Sequence, residues 1–229
     1  MEDHHGFQPF SFLDSLTKTE WQKLLAISNQ HSYKKGNCIF KSTELNNAFF
    51  ILLSGRSKVV RLSSSGREFI QWFCLPGEVF GVSEDNLTSF RGLDAYALSD
   101  ITVLSIPKTD FNNYLMENPR LSFLIIKQIS TRLRTLGDML ESVANNDAKS
   151  RLINLLQRLS SCYGVEYQHG VHIDVHLTHQ EMADMIGVCR QTVSSMLGEL
   201  KNDGILEASR SGIHIQSSKK LDCYFSHPQ

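Results

Sequence analysis

The spacing of apolar residues changes character along this chain, and each change marks an element. Leu16, Trp21, Leu24, Leu25 and Ile27 recur at helical intervals behind Thr17-Lys-Thr-Glu20, a capping box, which predicts a helix over residues 15–30. From Tyr33 to Ile106 the pattern turns to short β runs rich in β-branched and aromatic residues, at 38–40, 49–53, 57–62, 68–73 and 101–106. Gly36, Gly55, Gly66 and Gly77 fall between the runs, where turns need them, and Ser63-Ser-Ser-Gly66 joins two runs as a hairpin would. Several short strands at this spacing predict a compact antiparallel barrel or jelly roll.

Beyond Pro107 the period becomes helical again. Residues 108–116 form a short helix, and Asn118-Pro119 opens a much longer one. Within it Ile126, Ile129, Leu133, Leu136, Leu140 and Val143 step by three and four residues alternately, the a/d seam that keeps one apolar stripe toward a partner helix. The same spacing also suits a helix facing its own core. Gly137 interrupts good helix formers there, and close approach of a second helix would explain it. Asn145-Asn146-Asp147 then breaks the period, with Asp147 placed to cap a helix over 148–163, so a hinge is expected here.

The most informative stretch runs from Thr178 to Asp203. Thr178-His-Gln-Glu181 is a second capping box, followed by Met182, Ala183, Met185 and Ile186 on one side of a short helix. Gly187-Val-Cys189 makes a tight turn, and the next helix starts at Arg190. Val193, Met196, Leu197 and Leu200 lie at i, i+3, i+4 and i+7, so they face inward and leave Arg190, Gln191, Ser194, Ser195 and Lys201 outside. This is the build of a helix-turn-helix, whose second helix brings polar residues near its start to the major groove. Arginine can donate two hydrogen bonds to guanine, and glutamine can bond bidentately to adenine. A packed helical hairpin with a solvated polar face has the same pattern. Before the motif Val171, Ile173, Val175 and Leu177 alternate with His172, Asp174 and His176; after it, 205–208 and 213–215 flank Ser209-Arg-Ser-Gly212, a wing hairpin with Arg210 at its tip to meet phosphate.

The order of β roll, heptad helix, Asp hinge and winged helix resembles the family of the cyclic-AMP receptor protein and the fumarate–nitrate regulator, over residues 15–216 and most densely from Thr178 to Val193. The resemblance implies an α+β fold: an N-terminal antiparallel β roll of the jelly-roll, cyclic-nucleotide-binding-like kind at 1–118, a long dimerisation helix at 119–146 and a C-terminal winged helix-turn-helix at 147–229. It further implies homodimers on a two-fold symmetric site in double-stranded DNA, contact with RNA polymerase, and control by a small-molecule effector or redox signal. Arg190 stands where the family's guanine-reading arginine does and Thr192 matches as well, whereas Gln191 replaces a common glutamate and Ser195 a further arginine, so the half-site should differ. His179 occupies the place of a phosphate-contacting residue beside the capping Thr178.

The effector is less legible. Where cyclic-nucleotide binders of the family carry Gly-Glu-Leu and an Arg-Ser or Arg-Thr pair, this chain has Gly81-Val-Ser83 and Arg91-Gly92, and Leu136-Gly137 replaces the adenine-contacting Thr-Ser pair. Arg91 keeps the means to meet an anion, but cyclic AMP is not expected. Glu84 or Glu78 could substitute for the missing ribose carboxylate, although a solvated loop charge is the favoured reading of each. The cysteines, at 38, 74, 162, 189 and 223, are odd in number and lack a Cys-x-x-Cys pair, which disfavours a disulfide framework or a zinc knuckle, and only two lie in the roll, too few for an iron–sulfur cluster. Buried thiols are expected, with a switch at Cys74 or Cys38 left open. A haem would need an axial ligand from Cys38, Cys74, His31 or His4-His5; the cofactor is left unassigned.

Charge and composition adjust this picture in one respect. The net charge is −1, and from Asp147 onward eight Lys/Arg face nine Asp/Glu, so phosphate contacts must come from local clustering rather than a basic domain. The longest apolar run, Ala48 to Leu53, is far short of the roughly 18–20 residues of a membrane helix, and the acidic, polar start carries no secretory signal, so a cytoplasmic protein is expected. Two other classes share parts of this pattern. A cupin-type enzyme needs histidines in its roll, and none occurs between His31 and His169, so no enzyme activity is expected. An interaction protein using the helix-turn-helix as scaffold remains open. A metal site on His172, Asp174 and His176 is less favoured than solvated wing residues.

Overall fold

The computed structural model describes residues 11–63, 68–81, 90–167, 170–173, 177–209 and 212–216. Two compact units divide it, Phe10–Leu136 and Gly137–Gln229. The expected α+β architecture is present in both.

Among the described residues of the first unit, helix α1 (Lys18–Ala26) precedes eight strands, β1 (Asn29–Tyr33), β2 (Cys38–Phe40), β3 (Ala48–Ser54), β4 (Ser57–Leu62), β5 (Glu68–Cys74), β6 (Val79–Phe80), β7 (Asp94–Ala97) and β8 (Ile101–Pro107). They form two four-stranded antiparallel sheets, ordered β1-β8-β3-β6 and β2-β7-β4-β5. One apolar cluster, including Phe40, Phe50, Leu52, Val59, Phe80 and Val103, fills the roll; a second, including Phe49, Ile51, Leu104 and Ile106, packs with Phe12, Leu24, Phe111 and Leu121. Strand β3 is therefore buried on both faces. Phe50 and Leu52 point one way and Phe49 and Ile51 the other, which is why its sequence is an unbroken apolar run rather than an alternation.

The helix expected over 15–30 is shorter. The Thr17 hydroxyl accepts from the Glu20 amide at 3.3 Å, and the Glu20 carboxylate accepts from the Thr17 amide at 2.7 Å, so the capping box fixes the start three residues later than expected. The end also moves: Asn29 and Gln30 belong to β1, paired with Ser105 and Leu104 of β8. This edge strand is mostly exposed and polar, and nothing in its pattern announces it.

Helices α2 (Lys108–Glu117) and α3 (Pro119–Asn145) follow. Two stripes share α3. Leu121, Ile125 and Gln128 are buried, and Gln128 and Arg132 both donate to the Val79 carbonyl at 3.0 Å, which ties this side of the helix to β6. The other stripe is the predicted seam, and it does not face the core of its own chain. Ile126, Ile129, Leu133, Leu140 and Val143 are exposed, Leu133 at 70% and Leu140 at 72%, with Leu136 half-buried. Nothing lies within 4 Å of where a side chain on Gly137 would begin.

In the second unit Asp147 caps α4 (Ala148–Tyr163), accepting from the Ser150 amide at 2.7 Å, a bond that holds its carboxyl below the usual aspartate range. Strands β9 (Gly164–Tyr167), β10 (Gly170–Ile173), β11 (Leu206–Ser209) and β12 (Gly212–Ile215) form one sheet ordered β11-β12-β10-β9. Strand β9 is exposed throughout, so no buried face marks it in the sequence.

Candidate nucleic-acid interface

Between β10 and β11 lie α5 (His179–Ile186) and α6 (Arg190–Asn202). Reciprocal bonds between Thr178 and Glu181 start α5, and Met182, Ala183, Met185 and Ile186 bury its inner side. Gly187 ends it with φ 70° and ψ 40°, a left-handed conformation that costs an ordinary L-residue about 1–2 kcal/mol. The Arg151 guanidinium on α4 donates to the Ile186 carbonyl at 2.8 Å and to the Asn146 carbonyl at 2.9 Å, joining the end of α5 to the hinge. Sequence reading missed Arg151, since nothing local distinguishes it from a solvated helix charge.

Two residues later Cys189 caps α6 in extended conformation. Val193, Met196, Leu197 and Leu200 are buried as their spacing predicts, and this fixes what the helix shows outward. Arg190, Gln191, Ser194 and Ser195 are exposed along the outer side, and Thr192 is half-buried. Two members of this row are held by neighbours. Ser194 Oγ lies 2.7 Å from His179 Nδ1, across the two helices, and Thr192 Oγ1 lies 3.0 Å from Cys189 Sγ. The Cys189 thiol is exposed, and its hydrogen bond with the Thr192 hydroxyl holds it below the usual thiol range. Cys189 thus occupies the N-cap position beside the row and bonds one of its side chains without capping the backbone. Behind the motif Leu206 pairs with Ile215 and Ser209 with Gly212, the expected wing hairpin. Its tip residue Arg210 lies outside the described residues, as do Asp174 and His176. Among the described residues no group of three or more His, Cys, Asp or Glu is arranged to hold a metal ion.

The roll places Arg91 inside. It is 3% exposed, with its guanidinium 4.3 Å from the Phe40 ring centre and 5.1 Å from that of Phe50. Nη2 donates to the Ala48 carbonyl at 3.0 Å, while Nε and Nη1 are buried without a partner. A Cβ on Gly81 would stand 3.0 Å from Nη1 and 3.1 Å from the Phe50 ring, so glycine leaves room for this packing. Ser83 and Glu84 lie outside the described residues. Cys74 is fully buried, and burial pushes its thiol up to about 12. Cys38, half-buried, is also pushed up by burial. Glu78 is not a solvated loop charge: it is largely buried, bonds the Leu75 amide at 3.1 Å and faces Arg132 at 3.7 Å.

A β roll with an inward arginine in one unit and a winged helix-turn-helix in the other define a DNA-binding transcription regulator with a cyclic-nucleotide-binding-like sensor domain. Residues 30–118 match the cyclic nucleotide-binding domain and residues 150–224 the Crp-like helix-turn-helix domain. The global nitrogen regulator of Nostoc sp. is 29% identical over 85% of this chain and 88% of its own length, and the anaerobic regulatory protein of Bacillus subtilis 28% identical over 87% and 84%. Among solved structures, a CooA variant from Carboxydothermus hydrogenoformans superposes with a TM-score of 0.79 at 25% identity, over 94% of this chain and 95% of that one. The chain belongs to the Crp/Fnr family of transcription regulators. No helix among the described residues is long and apolar enough to cross a membrane.

Proposed function

We propose that this regulator acts as a homodimer on two-fold symmetric DNA, with 1–118 as sensor, 119–146 as dimerisation helix and 147–229 as the DNA-reading domain. The observation that carries the reading is the outward row on α6, whose orientation is forced by four buried residues on the opposite side. Arg190 and Gln191 read base edges, Ser194 and Ser195 add shorter contacts, and Thr178, Thr192, His179 and Arg210 serve the backbone around them. The exposed stripe from Ile126 to Val143 is the dimer seam. Contact with RNA polymerase is carried over from the family resemblance. Selection from genomic fragments tests the whole reading: a retained, competitor-resistant fragment with an inverted repeat is expected. Retention of none, under any redox or ligand condition, would favour the scaffold alternative.

The effector, on this reading, is a small anion that reaches Arg91. A carboxylate or phosphate would satisfy the two guanidinium nitrogens that are buried without partners. An unpaired buried charge is costly, and burial already lowers the pKa of Arg91. Arg91→Met is therefore expected to stabilise the unliganded protein by about 1–3 kcal/mol. The variant should also lose any thermal shift that small organic anions give the parent. A lower melting temperature for the variant would mean that stacking on Phe40 and Phe50 outweighs the unpaired donors.

A further inference from the structure

The bond between His179 and Ser194 has a chemical consequence for what the second helix can read. Ser194 is exposed on the outer side of α6, one turn beyond Arg190, and its hydroxyl already has a partner 2.7 Å away on the neighbouring helix. A hydroxyl has one hydrogen and two lone pairs, and a neutral imidazole has one nitrogen that donates and one that accepts. The direction of this bond therefore decides whether Ser194 meets a base as donor or as acceptor. If Nδ1 donates, the serine hydrogen is free for a base acceptor. If Nδ1 accepts, that hydrogen is used and only lone pairs remain.

DNA selects between the two. When a helix-turn-helix docks, its first helix crosses the sugar–phosphate backbone while the start of its second reaches base edges. His179 is the first residue of α5 and is only half-buried. With Nδ1 turned to Ser194, its other nitrogen is left for the groove rim, where phosphate oxygens offer acceptors alone. We propose that His179 is a positioning residue for base reading: it donates Nε2–H to a backbone phosphate, holds Nδ1 as an acceptor for the Ser194 hydroxyl, and so makes Ser194 select a base that donates. In the major groove those are adenine, through its N6 amino group, and cytosine, through its N4 amino group. The inference rests on the proposed DNA reading and adds a specificity that phosphate contact alone lacks.

Selection from randomised half-sites with the full-length protein tests it, comparing the parent with His179→Ala, Ser194→Ala and the double variant. The parent should prefer adenine or cytosine at one half-site position by about three- to tenfold, the range of one net hydrogen bond. Ser194→Ala should erase that preference and leave the guanine assigned to Arg190. His179→Ala should erase it at the same position, and the double variant should discriminate no less than either single one. His179→Ala should also weaken binding to all sequences, through the lost phosphate contact. Uniform weakening by His179→Ala with the preference intact would overturn the relay and leave a simple backbone contact. A guanine or thymine preference at the Ser194-sensitive position would overturn the stated direction of the bond, as would a Ser194→Ala profile identical to the parent's. A parent that selects no sequence at all would overturn the DNA reading itself, which separates that failure from the others.

Discussion

Arg190→Ala is expected to remove most of the sequence preference and to cost about 1–3 kcal/mol on the best site, where each 1.4 kcal/mol is tenfold in affinity. The reasoning starts from what the side chain does in the free protein. Arg190 is exposed at the start of α6 and forms no bond to another described residue, so its removal leaves neither a cavity nor an orphaned partner. Thermal unfolding should not change. Its five guanidinium donors are then wholly available, and the paired acceptors of guanine in the major groove fit them bidentately. The absence of a basic excess from Asp147 onward sharpens the expectation, because few cations are present to supply a sequence-independent attraction, and base contacts must carry a large share of the affinity. Fluorescence anisotropy on the selected site and on a scrambled one, at two salt concentrations, checks it. A loss confined to the selected site is the expected result. An equal loss on both, with the salt slope lower by about one, would make Arg190 a phosphate contact instead. Unchanged binding to both would refute its place in the interface.

What could be foreseen and what could not divides along physical lines. The capping boxes at Thr17 and Thr178, the left-handed Gly187 and the i, i+3, i+4, i+7 set on α6 follow from rules acting over one or two turns, and all are present. Strand β7 escaped notice because Asp94-Ala-Tyr-Ala97 has no apolar alternation. It is held as a strand by its neighbours β2 and β4, and by the Asp94 carboxylate, which accepts from the Ser42 amide at 2.7 Å and the Tyr96 hydroxyl at 2.9 Å. Strands β1 and β9 are exposed, so burial leaves no periodic mark on them. At the interface, the outward residues of α6 could be listed from spacing alone. The contact between His179 and Ser194 could not, because it joins side chains fifteen residues apart whose distance depends on how α5 and α6 cross. The same holds for Arg91: the residue was visible, but its place against the stacked Phe40 and Phe50 rings depends on how their strands fold over it.

Leu136→Glu with Leu140→Glu is expected to convert the protein to monomers. The six seam positions occupy one side of α3, and the opposite side is already committed to β6 through Gln128 and Arg132, so the helix cannot roll to hide them. Five of the six are exposed in the single chain, which leaves a contiguous apolar stripe that water solvates poorly. Burying a leucine or isoleucine side chain contributes about 1.5–3 kcal/mol, and a two-fold axis repeats every contact, so each substitution acts twice. Two glutamates per chain would set four carboxylates into an apolar seam, and that cost falls on the associated state alone. Within one chain the same changes are benign, since Leu140 is 72% exposed and Leu136 half-buried, and the melting of the roll should move little. Sedimentation should report a halved mass, whereas Arg134→Glu, exposed and off the stripe, should leave the mass unchanged. Binding to a full inverted repeat should fall to about that of a single half-site, because the second recognition helix no longer arrives at the local concentration the seam imposes. An unchanged mass for the double variant would place the contact between copies elsewhere. A halved mass with undiminished binding to the repeat would detach dimerisation from DNA recognition.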